Sequence, residues 1–301
     1  MSQPRERVWD AGRPVDLRST LMPLVRGVGD PAHRFVDGRF WWACATPGGD
    51  GTLALSARGS LVSAAAWGDG ADWLLERVPT LLGCDDDWSA VDVTAHAPLV
   101  QVLRSRPGMR LCSTGLVMEA LVPAVLEQKV TGMEAKRAWR VLLQLHGTPA
   151  PGPTPVPMRV PPSPRALRDV PSWDWHRMGV DIKRHTTIRA AATVAARLEE
   201  STRENVLTRL RVVPGIGEWT AAETAQRAFG HPDAVSVGDY HIKNWVTYAL
   251  TGRARGTDED MVRLLAPWAG HRQQVVRLIE LTGLRAPKFG PRFAPNDIRA
   301  I

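Results

Sequence analysis

The chain has 301 residues, 44% hydrophobic and 23% charged, a balance that suits one or two packed domains and excludes a disordered protein. No run of 18 apolar residues occurs, so no transmembrane helix is expected, and the first seven residues lack the apolar stretch of a secretory leader. Lys and Arg outnumber Asp and Glu by 38 to 31, which points to a polyanionic partner. Three cysteines, Cys44, Cys84 and Cys112, are too few for a disulfide framework or a four-cysteine metal site and suit a reducing cytoplasm.

The first ninety or so residues read as strands and turns. Asp37-Gly38 and Asp50-Gly51 are hairpin-turn dipeptides, and Arg58-Gly59-Ser60 is a third turn. Between them lie short apolar runs at 40–44, 53–55 and 61–63, so a small antiparallel sheet is expected, with a helix over about 69–82 covering one face. Residues 1–95 therefore form a mixed N-terminal domain. Beyond it the apolar period becomes helical, with stripes at Leu99, Val102 and Leu103 and at 116–126. A capping box at Thr131-Gly132-Met133-Glu134 opens a helix that runs to about residue 145. Eight of the seventeen residues in 148–164 are proline, so that stretch is an extended connection, either between domains or across the surface of one. Ser163-Pro164 starts another helix. Helical patterning follows over 182–198, 206–213, 219–229, 240–250, 258–265 behind a Thr257 cap, and 275–281. The expected fold class is α+β, mostly α: a small antiparallel sheet domain, an all-helical part over 96–284, and a basic irregular tail over 285–301.

The most informative segment is 210–221. It places a helix, then Pro214-Gly215-Ile216-Gly217, then a second helix. Two glycines allow a sharp bend and a close approach to another surface. Ile216 and Val213 can fill the gap between the flanking helices. The amides of Gly215 and Gly217 then point outward at a helix N-terminus, which suits a backbone phosphate. This is the helix-hairpin-helix device, which grips DNA without reading its sequence; an ordinary helix–helix turn is the plainer alternative. Asp239 follows 22 residues beyond Gly217, just ahead of another helix. On pattern alone it is an N-cap with no chemical task.

Taken together, the hairpin and the aspartate resemble the helix-hairpin-helix (HhH-GPD) superfamily of DNA glycosylases, most closely the 3-methyladenine DNA glycosylase II branch. The resemblance spans about 106–281 and is most specific at 213–221 and 238–243, with weaker support at 106–111, 124–130 and 179–184. It implies a sheet domain ahead of the helical part. It also implies a catalytic role for Asp239, which can cap its helix as well. Glycosidic cleavage builds positive charge on the sugar, and glycosidases commonly use two carboxylates. A base alkylated on a ring nitrogen is already cationic and leaves without an acid, so one carboxylate suffices, as stabiliser of the cation or as a guide for the attacking water. The implied activity is hydrolysis of the N-glycosidic bond of alkylated purines such as 3-methyladenine, in duplex DNA, after the base is flipped out of the stack.

The same resemblance assigns Trp219 and Tyr240 to the base pocket, although Trp219 also fits a core position. Relatives that cut the strand carry a lysine where this chain has Trp219, so a monofunctional hydrolase is implied. No cysteine follows Cys112 to hold the iron–sulfur cluster that some relatives carry. Glu223 stands where alkylbase relatives often have an aromatic; it either looks into the pocket or forms an i,i+4 pair with Arg227. Glu280 belongs near the far wall. Lys129, next to Gln128, falls where relatives place a residue that fills the vacated stack, though it also reads as a solvated surface lysine; both are candidates for DNA contact. Lys183 and Arg184, with Lys136, Arg137, Lys288 and Arg292, are candidates for phosphate contacts. The expectation is a cytoplasmic, nucleoid-associated monomer whose partner is duplex DNA carrying damaged bases. No cofactor is expected, apart from a monovalent cation that can bridge the hairpin to a phosphate. Two alternatives are the same chemistry on bulky or deaminated purines, and a non-catalytic DNA-binding protein.

Overall fold

The computed structural model describes residues 3–287. Lys288 and Arg292, and with them most of the expected tail, lie outside the described residues. In chain order, the N-terminal part contains β1 (Arg5–Asp10), α1 (Leu17–Leu21), β2 (His33–Val36), β3 (Arg39–Thr46), β4 (Gly49–Arg58), β5 (Leu61–Gly68) and α2 (Ala71–Leu81). The five strands form one antiparallel sheet in the order β1-β5-β4-β3-β2. Alternation along β3 explains the Trp41-Trp42 pair: both faces of the sheet are covered. Phe40, Trp42 and Cys44 pack under α1 and α2 with Leu53, Leu55 and Leu74. Trp41 and Ala43 point the other way, where Trp41 stacks on Trp67 at 5.8 Å.

The hairpin at Asp37-Gly38 has positive φ at both residues (48° and 74°), the geometry of a tight type I′ turn. Asp50-Gly51 is not a turn. The chain reverses at Pro47-Gly48, and Gly51 lies inside β4, paired with Cys44. A Cβ there would stand 2.6 Å from Leu74 Cδ1, so this glycine serves the close approach of α2 to the strand.

The helical part continues with α3 (Ala97–Ser105), α4 (Val117–Leu126), α5 (Gly132–His146), β6 (Thr148–Pro149), β7 (Arg159–Val160), α6 (Pro164–Asp169), α7 (Ser172–Met178), α8 (Ile182–Thr193), α9 (Ala195–Glu199), α10 (Val206–Arg211), α11 (Glu218–Phe229), α12 (Ile242–Thr251), α13 (Asp258–Leu265) and α14 (Arg272–Thr282). Both capping boxes form, at Thr131 with Glu134 and at Thr257 with Asp260. The expected helix over 182–198 is two helices, broken at Val194 after the β-branched Thr193. The proline-rich stretch crosses the outer face of the sheet: β6 and β7 pair with each other, and Met158 and Val160 pack on Trp41 and Trp67. Two helical cores result. One joins α4 and α5 to α7, α8 and α11, and the other gathers α3, α12, α13 and α14. The site lies where these two cores meet the N-terminal part.

Candidate active site

The hairpin has the geometry its residues require. Val213 and Ile216 are buried in the core beneath α11, and the Ile216 amide donates to the Val213 carbonyl at 3.1 Å. Gly215 has φ +88°, and a Cβ there would stand 1.9 Å from Thr187 Oγ1 on α8, so the position admits only glycine. Gly217 caps α11 in an extended conformation with open space around it. Gln128, at the end of α4, ties the turn down: its Nε2 donates to the Gly215 carbonyl at 3.1 Å and to Thr220 Oγ1 at 2.8 Å. Pro214, Gly215 and Gly217 are exposed, and among the described residues the amides of Gly215 and Gly217 bond to nothing. Free amides at the start of a twelve-residue helix form an anion-accepting turn.

Asp239 stands just ahead of α12. Its Oδ1 accepts the amides of His241 (2.7 Å) and Ile242 (2.9 Å), so it does cap that helix, which begins at Ile242 rather than at 240. Its Oδ2 accepts the Trp219 indole N–H at 3.2 Å. Both side chains line a cavity of about 220 Å³, whose other walls come from α14, from Arg110, Leu111 and Cys112, and from Thr20 and Pro23 near the N-terminus. An apolar cavity of about 150 Å³ admits a benzene ring, so this one has room for a bicyclic heterocycle. Burial pushes the Cys112 thiol up to about 11, so it faces the cavity as a neutral thiol.

Glu223 satisfies both of its sequence readings. It lines the cavity, and its Oε2 pairs with Arg227 at 2.8 Å, in the interior rather than on the surface. Burial disfavours its charge, but Arg227, the Ser236 hydroxyl (2.5 Å) and Arg26 outweigh that and hold its carboxyl below the usual range. The other wall carboxylates are matched in the same way: Glu127 pairs with Arg26 and Glu280 with Arg277, each at 2.8 Å.

Two assignments need correction. Tyr240 is 67% exposed, stands outside the cavity lining and packs edge-on against His241; His241 and Trp245 line the cavity in its place. The reason is the cap: with Asp239 and His241 aimed inward, the residue between them turns out. Arg184 is buried, at 4% exposure, and bonds internally to Asp181, the Leu126 carbonyl and the Gly179 carbonyl, so it is committed to the interior rather than presented to a phosphate. Lys183, beside it, is exposed. Lys129 is exposed and has φ +54°, an uncommon conformation for a residue with a Cβ. Sequence reasoning passed over Trp245, Gln273, Arg277 and Arg110 in the wall. The available signal was faint: Gln273, Arg277 and Glu280 share one face of α14 at helical spacing amid apolar neighbours.

No family model matches the chain, and no curated protein matches it in sequence. Solved structures do match in fold. The 3-methyladenine DNA glycosylase from Archaeoglobus fulgidus superposes with a TM-score of 0.76 at 14% identity, covering 91% of this chain and 97% of its own. The 8-oxoguanine glycosylase/lyase of Clostridium acetobutylicum, in its apo form, gives 0.68 at 9% identity over 93% and 98%. The Schizosaccharomyces pombe 3-methyladenine DNA glycosylase, in complex with abasic DNA, gives 0.51 at 17% identity over 71% and 100%. The chain therefore has the fold of the helix-hairpin-helix DNA glycosylases, an α+β architecture in which a five-stranded sheet accompanies the helices.

Proposed function

We propose that this protein is a monofunctional DNA glycosylase that hydrolyses the N-glycosidic bond of alkylated purines in duplex DNA. One observation carries the reading: a carboxylate, Asp239, is fixed by three N–H donors at the wall of a base-sized cavity, on the same helical frame as an anion-accepting hairpin. The amides of Gly215 and Gly217 bind a phosphate of the damaged strand and fix its register. The damaged nucleotide turns out of the stack into the cavity. As the glycosidic bond lengthens, positive charge grows on the sugar, and Asp239 stabilises it in place. Water completes the cleavage and leaves an abasic site. Trp219 supplies no amine for a Schiff base, and no lysine lines the cavity among the described residues.

Leaving-group chemistry favours cationic bases. Glu223, a carboxyl of the cavity wall, is favoured in its ionised form by Arg227 and Ser236 and so serves poorly as an acid. A base that carries its own positive charge needs none. A second reading keeps the reaction but changes the base to a deaminated or bulky purine; it draws on the same pairing, since a compensated Glu223 holds out no free charge to a cation. The protein is incubated with duplexes that each carry one lesion (3-methyladenine, 7-methylguanine, hypoxanthine or a bulky adduct), and the released base is identified. Release of methylated purines that stops in Asp239→Asn supports the proposal. No release from any duplex supports a DNA-binding role without catalysis.

A further inference from the structure

Arg26-Gly27-Val28-Gly29-Asp30 forms a turn between α1 and β2 whose two ends are fixed while its tip stands clear. Arg26 is buried, and its Nη1 pairs with Glu127 at the end of α4 at 2.8 Å. Asp30 is buried too. It accepts the Arg26 amide at 2.6 Å, the Ala32 amide at 2.9 Å and the Trp139 indole N–H of α5 at 3.0 Å. The Asp30 amide closes the turn by donating to the Gly27 carbonyl at 3.1 Å. Between these anchors Val28 is 95% exposed. A lone apolar side chain on a surface is ordinary; one carried on so firmly tied a turn is held out toward something.

Cations surround the tip. A Cβ at Gly27 would stand 3.0 Å from Lys136 Cδ, and one at Gly29 would stand 2.8 Å from Arg140 Cδ. The turn therefore lies directly on two side chains four positions apart on one face of α5. Arg34 of β2 donates through Nη1 to the Val28 carbonyl. Lys136 and Arg140 are exposed, and neither pairs with a carboxylate among the described residues. The neighbouring carboxylates are committed elsewhere: Glu127 to Arg26, Asp30 to the turn and to His33, and Glu134 to the Thr131 cap. The tip is also continuous with the hairpin. Arg26 holds Glu127, and the next residue, Gln128, holds the Gly215 carbonyl at 3.1 Å.

We propose that the Gly27–Gly29 turn is a second DNA-contacting element, by which the N-terminal part grips the duplex beside the lesion. Lys136 and Arg140 neutralise backbone phosphates, and Val28 enters the minor groove against a neighbouring base step. Apolar wedges of this kind partly unstack a step and bend the duplex, which lowers the cost of turning the nearby nucleotide out. Charge selects the occupant: an unpaired cationic rim attracts a polyanion and repels basic surfaces. The inference rests on the reading of the hairpin as a DNA grip and is independent of the chemistry at Asp239.

The test measures binding of the full chain to a duplex carrying a tetrahydrofuran abasic analogue, over a range of salt concentrations. 2-Aminopurine is placed in turn on either side of the analogue to report unstacking. In the double variant Lys136→Gln/Arg140→Gln, the slope of log affinity against log salt is expected to fall by about 2 with Tm unchanged. Val28→Ser is expected to keep its Tm, to bind about tenfold more weakly and to lose the fluorescence rise that the wild type gives at one flanking step. Val28→Leu keeps an apolar tip and is expected to bind within about twofold of the wild type. An unchanged slope in the double variant, or unchanged affinity and fluorescence in Val28→Ser, overturns the proposal; the turn then serves a partner other than DNA. Equal losses in Val28→Leu and Val28→Ser also overturn it, because the apolar tip is then not what binds. If the wild type shows these binding effects but releases no base, the glycosylase reading falls and the contact stands. A wild type that does not bind the duplex removes both.

Discussion

The indole N–H of Trp219 reaches Oδ2 of Asp239 at 3.2 Å, so the second residue of α11 helps to aim the carboxylate that precedes α12. With Oδ1 held by two backbone amides, the carboxylate has one orientation toward the cavity. Asp239→Asn keeps the shape and removes the charge. Single-turnover excision is expected to fall about 10²- to 10³-fold, with affinity for abasic-analogue DNA retained. Trp219→Phe, which loses only the N–H, is expected to fall about tenfold. A near-normal rate in Asp239→Asn would exclude that residue from the chemistry.

The proposed hydrolysis, with no lysine lining the cavity among the described residues, is expected to leave the strand intact. After incubation with a damaged duplex, the product is expected to break only on treatment with alkali. Borohydride is expected to trap no covalent protein–DNA complex. A trapped complex would show that an amine does reach the sugar.

The two glycines of the hairpin separate folding from DNA contact. Gly215→Ala must adopt φ +88° against Thr187 and is expected to lose at least about 2 kcal/mol of stability, visible as a lowered Tm. Gly217→Ala meets nothing within 4 Å in the free protein. It is expected to keep its Tm while binding duplex DNA more weakly, because the added methyl stands between the amide and the phosphate. Unaltered binding by Gly217→Ala would place the strand elsewhere.

Much of this could be read from the residues alone, for local reasons. The Thr131 and Thr257 boxes, the Asp37-Gly38 turn and the Pro214–Gly217 bend announce themselves because each is set by neighbours a few positions away. Asp50-Gly51 misleads for the opposite reason: what makes Gly51 a glycine is Leu74, on a helix more than twenty residues downstream. Tyr240 fails similarly, since the inward aim of its two neighbours turns it outward. Arg184 looks like any surface arginine until the carbonyls of Leu126 and Gly179 close around it. The cavity walls from Arg110 and α14 meet only in the folded chain, so no spacing in the sequence reports them.

Lys183 and Arg184 are adjacent in sequence and opposite in exposure, which makes them a controlled pair. Lys183→Gln is expected to leave Tm unchanged and to reduce the slope of log affinity against log salt by about 1. Arg184→Gln leaves the Leu126 and Gly179 carbonyls without their donor and is expected to lower stability by about 2 kcal/mol. If Arg184→Gln instead changes the salt slope with Tm intact, the internal assignment fails.

His33 bridges the sheet to α4 through Asp30 and Glu119. Burial alone lowers its pKa, but the two carboxylates reverse that and raise it from 6.5 to about 9. A pKa raised by folding stabilises the protein while the group is protonated in both states. The contribution is therefore complete below about pH 6.5 and is lost as the pH climbs through about 9. The Tm advantage of the wild type over His33→Gln is expected to be several degrees at pH 6 and to shrink by pH 9.5. An advantage that stays constant or grows over that range would contradict the charged bridge.

Arg277 Nη2 donates to the Ser19 carbonyl, 258 positions away, and Arg227 Nε donates to the Pro23 carbonyl, 204 positions away. Thr20 and Pro23 line the cavity where arginines from α14 and α11, together with the Arg110 amide on Thr20 Oγ1, hold the N-terminal segment against it. Contacts so distant along the polypeptide are slow to close. A nascent chain still missing α14 holds both the hairpin and the aspartate but lacks the wall that Gln273, Arg277 and Glu280 put between them.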